Sequence, residues 1–550
     1  MKIIIIGAVA AGTSAAAKAR RNDESSEIKI YEKDSHISYS ACGTPYYIGG
    51  SVESIESLTP RNAAFFKSKY NVDVFIQHEV LSVNPAEKII SVKNLEDGNT
   101  FTENYDKLII ATGAKSIIPP IDGIDKSNVF SLRNITSAEQ IKKYINANYV
   151  KSALIVGSGF IGMELAENFS GKGIETTIVE MKEHLSPKMD SDVSVYIEEY
   201  ISKKGIIFLT GDSVIRLSGG EKAEYAELKS GKKVSSEIFI IAAGVKPDTI
   251  LASNAGIEIG TTGAIKVNKK MQTNFEDIYG CGDCAESHSV ITGKPAYHPL
   301  GSTANKTGRI AGDQSSGGQI EFRGILGTGI FKLFDMTIAQ TGLTENEAHA
   351  EGYDCEIVHN IKPDKPEYAG GKKMMIKAVA DRKTQRLLGV QIAGYEGVDK
   401  RIDVFATAIT FGARVSDLFH LDLAYAPPFS TTKDPVMYTG MILDNAMNGK
   451  RKLITPAGLK KAASNGKIQI IDARVSSQYD KAHVDGAENI PHEKLRGCCD
   501  NLNKETLTVT YCNKGVTGNA AQNILINKGF KDVRNLSGGH KNYSMTKNKK

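Results

Sequence analysis

The sequence predicts a multidomain α/β protein. Two short apolar runs each lead through a glycine-rich turn into a helix, and each is followed by a second apolar run that ends in glutamate. A third, separate α/β pattern follows a polar, basic stretch near residue 450. At 550 residues the chain exceeds what one hydrophobic core organises, and length suggests roughly three or four domains.

The first unit opens with Ile3–Ile6, a buried-strand signal, followed by Gly7-Ala8-Val9-Ala10-Ala11-Gly12. An Ala-rich helix over Thr13–Arg21 and a strand over Ile28–Tyr31 come next, and the strand ends at Glu32. Gly7 suits a tight turn, the helix N-terminus suits a pyrophosphate, and Glu32 suits the hydroxyls of a ribose. Val9 stands where the usual motif has its middle glycine. The strand Ala153–Val156 opens a second copy with the full pattern, Gly157-Ser158-Gly159-Phe160-Ile161-Gly162. A helix from Met163 follows, then the strand Thr177–Val179, ending at Glu180. Two such units about 150 residues apart predict two dinucleotide sites of Rossmann type. The opening Met1–Ile6 has the look of a secretory signal, but the first strand explains it better.

Composition narrows the class. Apolar residues make up 41% and charged residues 24%, and 68 basic against 63 acidic side chains leave +5. Charge of this size predicts no nucleic-acid partner, although it would favour a small polyanion. No window is apolar enough for a membrane span without a glycine-rich break. Seven scattered cysteines predict a reduced, cytoplasmic protein with one or two reactive thiols.

Ser38-Tyr39-Ser40-Ala41-Cys42-Gly43-Thr44-Pro45-Tyr46-Tyr47 lies just after Glu32. Ser38 or Ser40 capping a helix would put Cys42 in a first turn, where the thiolate is favoured. A buried structural cysteine is the alternative reading. Cys281-Gly282-Asp283-Cys284 has no second pair with which to build a zinc site. Cys355 and Cys498-Cys499 belong to no recognisable constellation.

With these motifs in hand, the chain resembles the FAD- and NAD(P)H-dependent pyridine nucleotide-disulfide oxidoreductases over roughly residues 1 to 445. The resemblance assigns FAD to the first site, through Gly7, Val9, Ala10, Gly12 and Glu32, and NAD(P)H to the second, through Gly157, Gly159, Gly162 and Glu180. Leu108 to Ala114, with Ala111, Thr112 and Gly113, resembles the exit from the FAD domain, and Ile240 to Asp248, with Gly244, the return crossing. Thr273 to Asp283 resembles the second FAD motif, which would set Asp283 on the ribityl chain. The implied domains are FAD-binding (1–114 and 246–320), NAD(P)H-binding (115–245) and α+β dimerisation (321–445), in a homodimer.

Family members with a paired cysteine carry it at the position of Tyr47, so Cys42 resembles the single-cysteine branch that reduces coenzyme A disulfide. That branch implies CoA contacts at Arg21, Ser38, Tyr39 and Cys42, with Arg21 on a phosphate. It also implies two tyrosines near the other subunit's cysteine. Tyr425, in Leu423 to Ser430, fits one of them well, and Tyr368 fits the other only loosely. A packed aromatic beside the Pro427-Pro428 turn is the alternative for Tyr425.

Beyond a linker at 446–455, residues 456–550 resemble a single-domain rhodanese. Ile468–Ile471 and Leu507–Tyr511 read as strands, and the loop Cys512-Asn513-Lys514-Gly515-Val516-Thr517 leads into a helix. Backbone N–H groups of such a loop stabilise an anionic sulfur. Six-residue loops in this family suit sulfur transfer, but an arginine is usual at the position of Thr517, so thiosulfate as the donor is in question. The resulting expectation is a reductase of CoA disulfide, CoA persulfide or polysulfide, with Cys512 carrying sulfane sulfur and NADH preferred over NADPH because of Glu180. Two rivals stand beside it: an NADH oxidase or peroxidase working through a Cys42 sulfenic acid, and a redox sensor whose rhodanese module only docks partners.

Overall fold

The computed structural model describes residues 1–547, which form two compact units: 1–183 with 205–327, and 184–204 with 328 onward. The first unit holds two five-stranded parallel sheets. One runs Ile278–Gly280, Lys107–Ile110, Lys2–Ile6, Glu27–Tyr31, Asp73–Phe75. The other runs Ile207–Thr210, Glu175–Glu180, Ser152–Val156, Ile238–Ile241, Val129–Ser131. Ile3, Ile4 and Ile5 are fully buried, which explains a strand that is apolar at every position rather than at alternate ones. Each such side chain contributes about 1.5–3 kcal/mol of burial.

The helix Ala10–Asn22 is Ala-rich for a packing reason. A Cβ on Gly308 or Gly312 of the helix Gly301–Ser315 would stand 2.2 Å from the carbonyl oxygen of Ala11 or Ala15. Small residues on both helices allow this approach. Between the two parallel sheets the chain passes out through Ala114–Ser116 and back through Val245–Pro247, and these two segments pair antiparallel.

The second unit contains a five-stranded antiparallel sheet in the order Gly329–Leu333, Met336–Gly342, Leu387–Gly394, Lys373–Asp381, Cys355–Pro363. A five-stranded parallel sheet follows, ordered Leu453–Ile454, Val533–Leu536, Thr508–Tyr511, Gln469–Asp472, Ala487–Asn489. The expected linker is shorter than its composition suggests. The helix Pro435–Met447 covers its start, Leu453–Ile454 is already an edge strand, and Thr455 caps the next helix. Arg451 also bonds Asn523 at 2.6 Å.

The helix Ser191–Ser202 joins this unit through a buried polar cluster. Lys377 Nζ lies 2.8 Å from Asp192, 3.1 Å from Asp190 and 2.6 Å from Glu345. His359 Nε2 lies 2.7 Å from Asp192, and its Nδ1 is 3.0 Å from the Ser537 hydroxyl. Burial works against the Asp192 charge, but His359 and Lys377 hold its carboxyl well below the usual range. Charges buried this deeply are tolerated because every one is paired. Among the described residues no helix is long and apolar enough to cross a membrane.

Candidate active sites

The two glycine turns have the same construction. Gly7 and Gly157 sit at φ +104° and +103°, and each donates its N–H to the carbonyl of the neighbouring strand. A Cβ on Gly12 would fall 1.8 Å from the Gly7 oxygen, and one on Gly162 2.2 Å from the Gly157 oxygen. The outer glycines are therefore required by strand–helix packing. A Cβ at Gly159, in contrast, would meet nothing within 4 Å. The middle position is open, which is why Val9 is compatible with the fold.

Neither helix N-terminus carries a side-chain cap at Val9 or Gly159, so amides there remain for a phosphate. The glutamates are held alike. Glu32 accepts from the N–H of Ala8 (2.7 Å) and of Asp34 (3.0 Å). Glu180 accepts from the N–H and hydroxyl of Ser158 (2.9 and 2.6 Å) and from the N–H of Lys182 (2.9 Å). Burial pushes the Glu32 carboxyl up. An open cradle and a fixed buried carboxylate fit a dinucleotide at each turn.

Several further residues lie in the first unit. Thr112 donates to the Asp248 carbonyl at 2.7 Å, and Gly113 and Gly244 take left-handed φ. Asp283 is raised by burial, with Arg133 opposing at 3.4 Å. Arg133 also donates to the Ala114 carbonyl at 2.6 Å, and Tyr297 to that of Asp283 at 2.9 Å. Sequence reasoning missed Arg133, an isolated arginine without a spacing signal.

Cys42 is the exposed thiol of the seven. It sits in a short turn, Ala41–Gly43, ahead of the helix Thr44–Gly49, and Ser40 makes no side-chain cap. Ser38 has φ +49° and donates its N–H to Ala8 rather than capping a helix. The expectation of a thiolate favoured by a capped helix start is thus corrected. Desolvation by the surrounding protein pushes Cys42 up, Glu164 and Asp283 add to the effect, and Arg133 opposes it. Glu164, on the helix Phe160–Gly171, is itself raised to about 7 by burial and by Glu167, while a hydrogen bond with Tyr46 works the other way. This carboxylate also gave no sequence signal, because it comes from the second glycine unit.

Tyr39 is partly buried, and desolvation pushes its phenol up. Of the paired arginines, Arg20 is buried and donates to the carbonyls of Tyr70, Asp23, Glu24 and Asn71, whereas Arg21 is exposed beside the Tyr70 ring. Cys281 and Cys284 are both buried, and the Cys284 thiol donates to the carbonyls of Ile110 and Cys281.

In the second unit Tyr368 and Tyr425 are 81% and 49% exposed, more than aromatic packing alone explains. Cys512 ends the strand Thr508–Tyr511, and its sulfur accepts from the Gly515 N–H at 3.2 Å. The start of the helix Gly539–Lys547 fixes the loop from behind: His540 N–H donates to the Cys512 carbonyl (2.8 Å) and Lys541 N–H to that of Asn513 (3.0 Å). Thr517 is exposed on the first turn of the helix Val516–Asn527.

Two dinucleotide cradles with one exposed thiol beside the first define a nicotinamide- and flavin-dependent thiol oxidoreductase. Residues 1–305 match the pyridine nucleotide-disulphide oxidoreductase profile, 329–435 its dimerisation domain, and 455–546 a rhodanese-like domain. The NAD(P)H sulfur oxidoreductase (CoA-dependent) of Pyrococcus furiosus is 37% identical over 80% of this chain and 99% of its own length. The NADH oxidase of Methanocaldococcus jannaschii is 34% identical over 79% and 97%. Among solved structures, reduced Bacillus anthracis CoADR-RHD superposes with a TM-score of 0.96 at 35% identity, covering 99% of this chain and 98% of that one. The NAD-dependent persulfide reductase of A. fulgidus gives 0.91 at 33%, covering 99% and 100%. The chain belongs to the pyridine nucleotide-disulphide oxidoreductases, in the CoA-disulfide and CoA-persulfide reductase branch that carries a C-terminal rhodanese domain. The family implies FAD and NAD(P)H.

Proposed function

We propose that the protein is an FAD-dependent, NADH-preferring reductase of CoA persulfide, CoA disulfide or polysulfide, and that its rhodanese domain carries sulfane sulfur on Cys512. One observation carries this reading. Cys42 is exposed, and the fifth residue beyond it is Tyr47 rather than a second cysteine, which supports a sulfur–sulfur bond formed with a substrate. The names of the Pyrococcus and A. fulgidus relatives point to CoA-linked and persulfide sulfur.

In this reading the Cys42 thiolate attacks the sulfur–sulfur bond of a CoA disulfide. A Cys42–CoA mixed disulfide forms and one CoA thiolate leaves. Bound FAD would supply the two electrons, taken from NADH, that cleave the mixed disulfide and free the second CoA. Gly7, Val9, Ala10, Gly12, Glu32 and Asp283 would hold FAD, and Gly157, Gly159, Gly162 and Glu180 would hold NADH. Ala111, Thr112, Gly113 and Gly244 would shape the connections beside them. Arg133 opposes the two carboxylates that disfavour the Cys42 thiolate. Arg21, Ser38 and Tyr39 would bind CoA. Tyr425, and more weakly Tyr368, would donate a proton or hydrogen bond to the leaving thiolate in the other subunit of a homodimer.

The NADH oxidase reading rests on the same lone thiol, because a single cysteine also suits a sulfenic acid. Steady-state rates with CoA disulfide, CoA persulfide, polysulfide and oxygen, measured side by side, separate the readings. A sulfur acceptor should give the highest kcat/KM, and oxygen as the best acceptor would overturn the proposal.

A further inference from the structure

Tyr368 and Tyr425 stand on two irregular loops, and both loops are held by one side chain. Arg401, near the start of the helix Val398–Thr410, is buried. Its Nη2 donates to the Asp364 carbonyl at 2.9 Å and reaches the Phe429 carbonyl at 3.4 Å and the Ser430 hydroxyl at 3.2 Å. Asp364 opens the loop that carries Tyr368. Its N–H donates to the Lys372 carbonyl (2.9 Å), and its carboxylate accepts from the Lys372 N–H (2.6 Å). Phe429 and Ser430 close the turn that follows Tyr425, since both donate N–H to the Ala426 carbonyl (2.9 and 3.1 Å). Arg401 Nε and Nη2 also donate to the buried Asp434 carboxylate (3.1 and 2.9 Å), which caps the helix Pro435–Met447. Nη1 donates to the Gly397 carbonyl at 3.1 Å, and a Cβ on Gly397 would stand 2.0 Å from that nitrogen. Glycine at 397, with φ +63°, is thus required by the arginine as well as by the backbone. Two neighbours reinforce the arrangement: Glu396 accepts from Lys365 at 2.6 Å, and Lys400 donates to the Ala424 carbonyl at 3.4 Å.

A buried ion pair is weak evidence for stability, because hydrophobic residues of like volume often hold a core as well. Beyond pairing with Asp434, Arg401 brings main-chain atoms of two loops to one planar fork whose donors point in fixed directions. An exposed phenol on a loop keeps its aim only if the backbone beneath it is held.

We propose that Arg401 is a positioning residue that sets both tyrosines together for the thiolate leaving Cys42 of the partner subunit. This rests on the reading of Tyr425 and Tyr368 as hydrogen-bond donors to that thiolate. Arg401 is buried and acts through the two loops, and Asp434 fixes the guanidinium from the other side.

The test uses full-length holoenzyme carrying Arg401→Lys, which keeps a charge beside Asp434 but gathers its donors on one atom. FAD content, dimer mass and the rate of flavin reduction by NADH should match wild type, while kcat for CoA disulfide falls several-fold and KM for NADH stays in place. Added to Tyr368→Phe/Tyr425→Phe, Arg401→Lys should cost less than about twofold more, because the groups it aims are already gone. Subunit mixing gives a second readout. Arg401→Lys should regain activity with Cys42→Ser, whose tyrosines meet an intact thiol in the hybrid, and regain none with Tyr425→Phe. A merely structural defect would spoil the variant's own thiol and regain none with either. Should Arg401→Lys lose FAD, Arg401→Gln/Asp434→Asn, uncharged at both positions with the helix-cap acceptor kept, enters the same cycle. Equal loss with and without the tyrosines, or full activity of Arg401→Lys beside a slow Tyr425→Phe, overturns the positioning role. Tyrosine variants as fast as wild type sink the tyrosine reading itself, and the proposal with it.

Discussion

Cys42 and Cys512 are both single thiols at the mouth of a turn that leads into a helix, yet their surroundings are opposite in kind. Cys42 is exposed, and carboxylates at Glu164 and Asp283 weigh against its thiolate, with Arg133 alone opposing them. Cys512 is buried, accepts a backbone N–H from Gly515, and lies in a loop whose carbonyls at Cys512 and Asn513 are held by the N–H groups of His540 and Lys541. The difference teaches that two similar turns can set a thiol in opposite electrostatic surroundings. The C-terminal loop brings its own anion stabilisation. The N-terminal thiol has carboxylates against it, which in the proposed reading would suit a nucleophile that acts only when cofactor and substrate are in place.

The sharpest way to break this comparison is to delete one sulfur at a time. Cys42→Ser should keep its flavin spectrum and lose CoA-disulfide reduction by on the order of 10³-fold or more, as for removal of a nucleophile. Cys512→Ser should keep that reduction and lose sulfur transfer to cyanide. Loss of both activities in both variants, with fold and flavin intact, would refute independent half-reactions.

A smaller effect concerns Glu180. Its buried carboxylate suits ribose hydroxyls and repels a 2′-phosphate, so NADH should exceed NADPH in kcat/KM by roughly tenfold or more. Glu180→Ala should narrow the ratio. A wild-type preference for NADPH contradicts the assignment.

Glu164→Gln tests the electrostatic half of the contrast. Removing this carboxylate should move the alkylation profile of Cys42 to lower pH, while the same profile at Cys512 stays in place. Stability has a definite sign as well. The folded value of Glu164, about 7, lies above the ordinary 4.5. Its contribution is therefore complete below 4.5 and is lost as pH rises through 7. The variant should match wild type in Tm near pH 4 and exceed it near pH 8. An unchanged difference across that range would show that Glu164 is not held as described.

The smallest effect is expected at the tyrosines. Tyr425→Phe should slow disulfide reduction several-fold, as expected for loss of a hydrogen bond to the leaving thiolate, and Tyr368→Phe less. Mixing Cys42→Ser with Tyr425→Phe subunits should restore part of the rate, because one hybrid site keeps both groups. No recovery after verified exchange would argue against a shared site.

Much of this architecture was legible because it rests on short-range constraints. Apolar strands, a left-handed glycine at φ above +100° and a glutamate one strand later are each written within some thirty residues, and both copies folded as their spacing predicted. Val9 looked like a defect in the first copy. The structure shows that the middle glycine meets no packing constraint at the second site, which sequence spacing alone does not reveal. The capped helix expected at Cys42 was misread for a related reason: a serine before a helix signals a cap only if its backbone is suitably placed, and Ser38 is turned to Ala8 instead.

The sequence by itself determined the two dinucleotide units, the lone thiol after the first, and the separate C-terminal loop around Cys512, since each is a contiguous pattern of residue types. The tertiary structure decided what surrounds the two sulfurs. Glu164 and Arg133 meet at Cys42 from segments more than ninety residues away. Charges act through space and not along the chain, so their effect on a thiol becomes readable only when the chain is folded.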